Sequence, residues 1–452
     1  MAGIGWKLQR MIDHGSLTGA FGAYLTGVAV TSAPWLLTTT VLMSLRVLAR
    51  NNGAPDFQSV EHLLTVIYAL TVVLSAPVHV VVSRYTADRL YDRRVDLIAA
   101  PLRRALALTM CGFAVVGAVA MAVMGAPMAL AVAGTVVTVI VGAQWLALSV
   151  GGGMSSPMTV LYAFGFGAPI SLIAPMAVER FFHLGAVGYL YGFGAGQLVT
   201  LVIMLHGVAR AIPEHSDESA RLAPAFSEYR LLSLSALAYY LSIWVDKLVI
   251  YAVMGHDAAA LYAAVSALAW FSVIPAFGWI YVQIETVFYR RFRAFYDDLE
   301  GGASLRQLRS RADAVTTETV RILRGAAVVQ AAVTAVALLG APYLMQLAGL
   351  APVAVLPFRL AVVGAALQVI TLLEILVLYY FDLRRDALWV SLVLFLGEAT
   401  LTFACWALDW PPACGYALAC GLTCASGAIL VRRRLGTLLV DTFQSQPFAG
   451  RL

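Results

Sequence analysis

Twelve stretches of the chain are apolar almost without interruption. They cover 17–45, 60–83, 105–124, 127–150, 158–178, 184–205, 231–254, 257–289, 325–350, 355–380, 387–408 and 413–431. A helix needs about 20 mainly apolar residues to cross the hydrocarbon core of a bilayer. The runs are too long, and too apolar on every side, for the alternating pattern of barrel strands. In lipid the backbone must pair its own polar groups, so such runs predict helices. The expected fold class is an all-α polytopic membrane protein of about 12 transmembrane helices.

Polar segments organise these runs. The stretch 206–230, with Pro213, Glu214, His215, Asp217 and Glu218, divides them six and six. The predicted layout is an N-terminal six-helix bundle over 1–205 and a cytoplasmic linker over 206–230. A C-terminal six-helix bundle over 231–434 and a cytoplasmic tail over 435–452 complete it. An Arg-rich loop follows the second run of each half, at 84–104 and 290–324, as in two parallel repeats. Chance repetition gives the same pattern, because cytoplasmic loops are commonly basic. Neither loop can hold a folded catalytic domain. Residues 1–16 set Ile4, Trp6, Leu8, Met11 and Ile12 among Lys7, Gln9 and Arg10, a pattern for either a short interfacial helix or a frayed tail.

Small and rigid residues add local detail. Gly188, Gly192 and Gly196 lie four apart on one helix face, where small residues let two helices approach closely. Gly151, Gly152 and Gly153 before Pro157 suggest a short turn, and Pro34, Pro77, Pro169, Pro175 and Pro275 predict kinks within spans.

Composition supports the membrane reading. Of 452 residues 61% are apolar and 12% charged, with a mean hydropathy of +0.83. A soluble chain carries about a quarter charged residues to cover its surface. With the N-terminus inside, 25 of the 30 Lys and Arg fall on cytoplasmic segments and three on the opposite side. That asymmetry places both termini in the cytoplasm of a multi-pass inner-membrane protein. The net charge of +5 is thus a topology signal and does not indicate nucleic-acid binding.

Chemistry-bearing motifs are few. No HExxH, GxSxG or phosphate-binding loop occurs, and no histidine pair has metal-ligand spacing on one helix. No enzyme, metal or cofactor is expected. Cys111, Cys405, Cys414, Cys420 and Cys424 form no CxxC pair and read as small apolar fillers.

The informative positions are ionisable groups inside spans, each costing about 2.5–3.5 kcal/mol at mid-bilayer unless it meets water or a partner. They are Asp246 and Lys247, Glu285, Arg359 and Glu374, and Glu398, all in the second half; the first half has His79 alone at comparable depth. Asp246 and Lys247 point about 100° apart, so they are not expected to face one partner. A substrate or proton site and a structural interhelical ion pair both remain open for them. Glu374 and Glu398 suit cation or proton handling or a structural role. Glu285 is expected near the inner interface, bridged to the basic loop beside it. Arg359 and Glu374 are too far apart along one helix to pair. Nearby aromatics, including Tyr240, Trp244 and Trp270, suit sugar rings and cations, although packing and interfacial anchoring use the same residues.

Several segments in order carry a family resemblance. They are Met1-Ala2-Gly3-Ile4-Gly5-Trp6, Ser32-Ala33-Pro34-Trp35, Ser75-Ala76-Pro77-Val78 and Arg84-Tyr85-Thr86-Ala87-Asp88-Arg89-Leu90-Tyr91. Trp244-Val245-Asp246-Lys247, Glu285-Thr286 with Phe288, and Tyr379-Tyr380-Phe381-Asp382 continue the series. The chain resembles the PelG family, membrane transporters of Pel exopolysaccharide biosynthesis. The resemblance implies the multidrug/oligosaccharidyl-lipid/polysaccharide (MOP) flippase superfamily, with a MATE-like pair of six-helix bundles about a central cavity. It implies export of a partly deacetylated, cationic, N-acetylgalactosamine-rich polymer across the bacterial inner membrane. Its implied partners are the cytoplasmic glycosyltransferase PelF and the membrane subunits PelD and PelE. Asp246, Lys247 and Glu285 fall on family positions without assigned roles.

Two rival functions stay in view. One is a cation-coupled antiporter or flippase of small or lipid-linked sugars, using the in-span carboxylates. The other is a non-conducting scaffold for a cytoplasmic synthase. Its partner-binding surface would be the basic loops, with Arg84, Arg89, Arg93 and Arg94 on one and Arg290, Arg291 and Arg293 on the other.

Overall fold

The computed structural model describes residues 17–51, 57–154, 157–212, 217 and 221–445. The expected interfacial segment with Lys7 and Arg10 lies outside the described residues. So do linker residues Pro213, Glu214, His215 and Glu218, and Arg451 of the tail. Among the described residues there is no strand, and twelve helical runs are long and apolar enough to cross a membrane.

The first six runs are α1 (Leu17–Asn51), α2 (Phe57–Tyr91), α3 (Ala99–Val123), α4 (Met128–Met154), α5 (Pro157–Phe182) and α6 (Gly185–Ala211). A short α7 (Ala223–Glu228) precedes α8 (Arg230–Met254). Next come α9 (His256–Trp270), α10 (Ile274–Gln283), α11 (Tyr289–Glu300), α12 (Leu305–Leu347), α13 (Val355–Tyr380), α14 (Arg384–Ala407), α15 (Ala413–Gly436) and a short α16 (Leu438–Ser445). Large apolar side chains face outward throughout, Leu339 at 84% and Val123 at 82% exposure among them. Such a surface is stable against lipid tails and not against water.

The chain folds as two compact units. One holds residues 32–240; the other holds residues 241–452 and α1 up to Thr31. The division therefore falls inside α1 and α8, and not at 206–230.

Within the first unit α5 and α6 pack along their length. A Cβ on Gly192 would lie 2.4 Å from the Pro175 nitrogen, and one on Gly196 would lie 2.2 Å from the Ser171 nitrogen. The glycine face read from the sequence is thus the α5–α6 seam, where backbone meets backbone. The second unit is built around α13, against which Val265 and Ala269 of α9 and Ala341 and Met345 of α12 pack.

The basic segments depart from expectation, because they are largely helical. α2 runs through Arg84 and Arg89 to Tyr91, and only a short turn with a 3-10 piece at Val95–Leu97 precedes α3. From His256 to Glu300 the chain is one helical run. It is interrupted only by a 3-10 turn at Phe271–Val273 and a π turn at Ile284–Phe288. α12 has 43 residues, far more than the roughly 20 a bilayer needs. Segment 290–324 is therefore a helical hairpin, turned at Gly302 (φ +70°), with the Ser304 hydroxyl accepting from the Gln307 N–H. Phe295 is buried on the first helix, and Leu308, Ala312 and Val315 are buried at helical spacing on the second, among the arginines. Asp298 closes the turn by pairing with Arg311 at 2.7 Å.

Candidate functional site

In the second unit, α8, α9, α13, α14 and α15 bring a set of polar side chains into an otherwise apolar core. Asp246 is fully buried, and the Lys247 ammonium reaches its two carboxylate oxygens at 3.0 and 3.1 Å. The sequence left a partner on another helix open for each of them, and the structure instead pairs them with each other. The four-carbon lysine stem curls back, and the two residues pair with each other. The ammonium also lies over the rings of Tyr262 and Tyr416, at 5.6 and 5.5 Å, as a cation–π contact favours.

The network spreads from Tyr416. Its hydroxyl donates to Gln368 Oε1 at 2.7 Å, and Gln368 Nε2 donates to Ser242 Oγ at 3.4 Å. The Tyr262 hydroxyl lies beside Asp246 and Ser266 but meets neither in hydrogen-bond geometry. Glu398 is fully buried, and Asp246 and Lys247 are close enough to act on its charge. Cys420 Sγ donates to Glu398 Oε1 at 3.6 Å, whereas Oε2 has no hydrogen-bond partner. This cysteine is more than a filler.

Glu374, one helix over, is equally buried and also leaves Oε2 unpartnered. It lies against Gly427, where a Cβ would come within 2.1 Å of that oxygen. The hydroxyls of Thr402 and Thr423 are buried and unpartnered too. Three carboxylates thus share a low-dielectric interior with one ammonium. With Asp246 paired to Lys247, Glu374 and Glu398 each need a proton or a cation to be neutral there.

The first unit has a polar interior of another kind. Gln144 Nε2 donates to the Gln197 carbonyl at 2.7 Å, and Gln197 Nε2 donates to Ser171 Oγ at 2.9 Å. Trp145 Nε1 donates to Thr71 Oγ1 at 3.2 Å. His79 packs edge-on against Tyr240, ring centroids 5.6 Å apart, and Tyr240 in turn against Tyr239. At one end of this unit the Tyr229 phenol donates to Asp88. Burial first, and the Asp88 carboxylate second, raise its pKa above the ordinary phenol value.

The other candidates separate. Glu285 is buried in the π turn, and among the described residues no ion pair links it to the basic segment. Glu318 of α12 takes those arginines instead, Arg291 at 3.3 Å and Arg321 at 2.5 Å. Burial accounts for the change: Glu285 is only 7% exposed within the π turn. Arg359 is exposed in the first turns of α13, donating to the Leu338 carbonyl at 3.3 Å. Trp244 and Trp270 are half-buried, and the Trp244 indole N–H is without a partner. Arg84, Arg89 and Arg94 pair locally with Asp88, Asp92 and Asp96 at 3.1–3.2 Å, and Arg93 adopts φ +58° where α2 ends. Arg290 and Arg293 are exposed on α11, Arg293 pairing with Asp297 at 2.8 Å. Sequence reasoning missed Tyr262, Tyr416, Cys420 and Gln368. The mid-span glutamine was the one available signal, since a buried amide also requires partners.

A family model described as "PelG: Putative exopolysaccharide Exporter (EPS-E)" matches residues 1–443. The chain belongs to the PelG family. The match takes in every member of both polar interiors. The fold agrees with that of solved MOP-superfamily transporters. A MATE crystal structure in the straight conformation aligns with TM-score 0.67 at 14% identity, covering 92% of this chain and 95% of that one. An outward-facing multidrug resistance MATE transporter of the MOP superfamily aligns with TM-score 0.67 at 15% identity, covering 92% and 94%. A MOP superfamily transporter from Pyrococcus furiosus, reported with reversed binding-pocket polarity, gives TM-score 0.66 at 14% identity over 92% and 95%. No curated protein sequence matches the chain. Family and fold together make this a multi-pass membrane transporter of the exopolysaccharide-export class.

Proposed function

We propose that this PelG-family chain exports a Pel-type polysaccharide, cationic and rich in N-acetylgalactosamine, from cytoplasm to periplasm across the bacterial inner membrane. The observation that carries the reading is the buried set Asp246, Lys247, Glu374 and Glu398, in a chain the family model matches over residues 1–443. An excess of carboxylates over ammonium favours a cationic cargo or a cation moved in exchange. Both termini lie in the cytoplasm, as the distribution of Lys and Arg argues. The glycosyltransferase PelF supplies polymer there, with PelD and PelE as membrane partners. The basic faces carrying Arg84, Arg89, Arg93 and Arg94, and Arg290, Arg291 and Arg293, receive them.

One specific observation favours a second reading. Glu374 and Glu398 each leave a buried oxygen unpaired, which suits cation-coupled exchange of a smaller or lipid-linked sugar. A non-conducting scaffold makes no use of such groups.

The test is synthesis of labelled polymer by PelF, PelD and PelE with this chain in sealed inverted vesicles. Polymer protected in the lumen supports export, and Asp246→Asn is expected to lower it. Equal protection in vesicles lacking the chain removes the reading. Uptake of a small sugar against a cation gradient, without polymer, would favour the second.

A further inference from the structure

At the Arg-rich end of the second unit, aromatic rings form a row that the charged cluster does not use. Phe288 of the π turn, Phe292 and Tyr296 follow one another on one helical face, with centroids 5.9 and 4.7 Å apart. Tyr380 and Phe381, where α13 ends, face them: Phe292 is 5.6 Å from Tyr380 and 5.7 Å from Phe381. Phe288 is nearly inaccessible, whereas Phe292, Tyr296, Tyr380 and Phe381 are only half-buried. The row ends at a partly open cavity of about 440 Å3 between α11, α13, α15 and α16. Tyr296 and Phe381 form part of its wall beside Asp382, Asp441, Arg434 and Gln444.

That lining combines two features. Half-buried aromatic faces offer flat apolar surface to the C–H face of a sugar ring. Asp382, Asp441 and Gln444 offer acceptors, and in the case of Gln444 donors, for its hydroxyl and amide groups. The carboxylates are already oriented. Asp382 accepts from Arg384 Nε at 2.7 Å and Asp441 from the Thr437 hydroxyl at 2.8 Å, which leaves each with further lone pairs to share. Arg434 is held by Asp386 at 2.6 Å from outside the cavity and by Asp441 at 3.7 Å within it, which fixes the position of that carboxylate. The volume lies in the range of small-ligand sites and takes a few sugar units at most.

The geometry points to this cavity as a binding subsite for a short stretch of hexosamine-containing polysaccharide. The row from Tyr296 to Phe288 continues it toward the interior of the unit. The inference rests on the export reading for its substrate class and adds a place at which the polymer is gripped.

The test is calorimetric titration of the purified full chain in detergent with trisaccharides of galactosamine and of N-acetylgalactosamine. Binding of either is expected to weaken about tenfold on Tyr296→Leu, through lost ring stacking, and clearly on Asp382→Asn and on Gln444→Ala. Gln444 is exposed on α16, so its variant tests the site even where the aromatic substitution unfolds the protein. Phe443→Ala, on an exposed position outside the lining, is expected to change nothing. Absence of binding, or binding equal in wild type and all three variants, overturns the inference. Vesicle export run in parallel separates the two claims. Lumenal polymer with insensitive binding removes the subsite alone, and no lumenal polymer removes the export reading whatever the titration shows.

Discussion

The two units solve the same problem, burying polar groups in lipid, with different chemistry. In the unit of residues 32–240 the interior is uncharged: Gln144, Gln197, Ser171 and Trp145 make neutral hydrogen bonds, and the unpartnered Ser32 Oγ, Tyr68 hydroxyl and Gln197 Oε1 are neutral too. In the other unit the interior holds Asp246, Lys247, Glu374 and Glu398, with two carboxylate oxygens and two threonine hydroxyls left unpartnered. A neutral network serves packing and register at modest cost. Unpaired carboxylates serve neither, since a group of similar volume without charge would be less costly to bury. The difference teaches where to look for function: in the unit whose interior stability alone does not explain.

The largest effect should come from splitting the buried Asp246–Lys247 ion pair. Lys247→Met leaves Asp246 alone in the core and is expected to cost about 3–5 kcal/mol. Thermal unfolding in detergent reads this, and the double variant Asp246→Asn with Lys247→Met should recover most of it. If the single and double variants are equally unstable, the pair is not a unit. Next are the two glycine contacts. Gly192→Ala drives a methyl into the Pro175 backbone, which cannot yield without parting α5 from α6, and should cost about 3 kcal/mol. Gly427→Ala meets only the end of the Glu374 side chain and should cost about 1 kcal/mol. Adding Glu374→Ala should relieve the second strain and leave the first untouched. Smallest is Gln144→Leu, which removes one neutral hydrogen bond and should cost about 0.5 kcal/mol in unfolding experiments. A loss as large as that of Lys247→Met would erase the contrast between the units.

The spans were legible because lipid demands long apolar runs, and the α5–α6 seam was legible because close approach demands small residues. The helical hairpin at 290–324 was not. Its apolar positions, such as Phe295 and Leu308, are interrupted by eight arginines, so a hydropathy reading sees only a basic loop. Within the site, Asp246, Lys247, Glu374 and Glu398 declared themselves by their cost in a span. Tyr262, Tyr416 and Cys420 did not, since aromatic and thiol side chains are ordinary in apolar helices. Only the folded contacts show that they surround the charges. The direct Asp246–Lys247 pair was hidden for another reason: backbone angles set where Cβ atoms point, and a long lysine stem overrides them.

The central claim is that Glu374 and Glu398 are kept for transport and not for packing. Glu374→Gln and Glu398→Gln retain shape while removing the charge, so stability should hold or rise. Polymer delivery into sealed vesicles, measured beside detergent unfolding on the same preparations, tests this directly. Unchanged or higher stability is expected with delivery cut about tenfold or more, the scale of a lost charge interaction. Full delivery by the doubly substituted protein would contradict it.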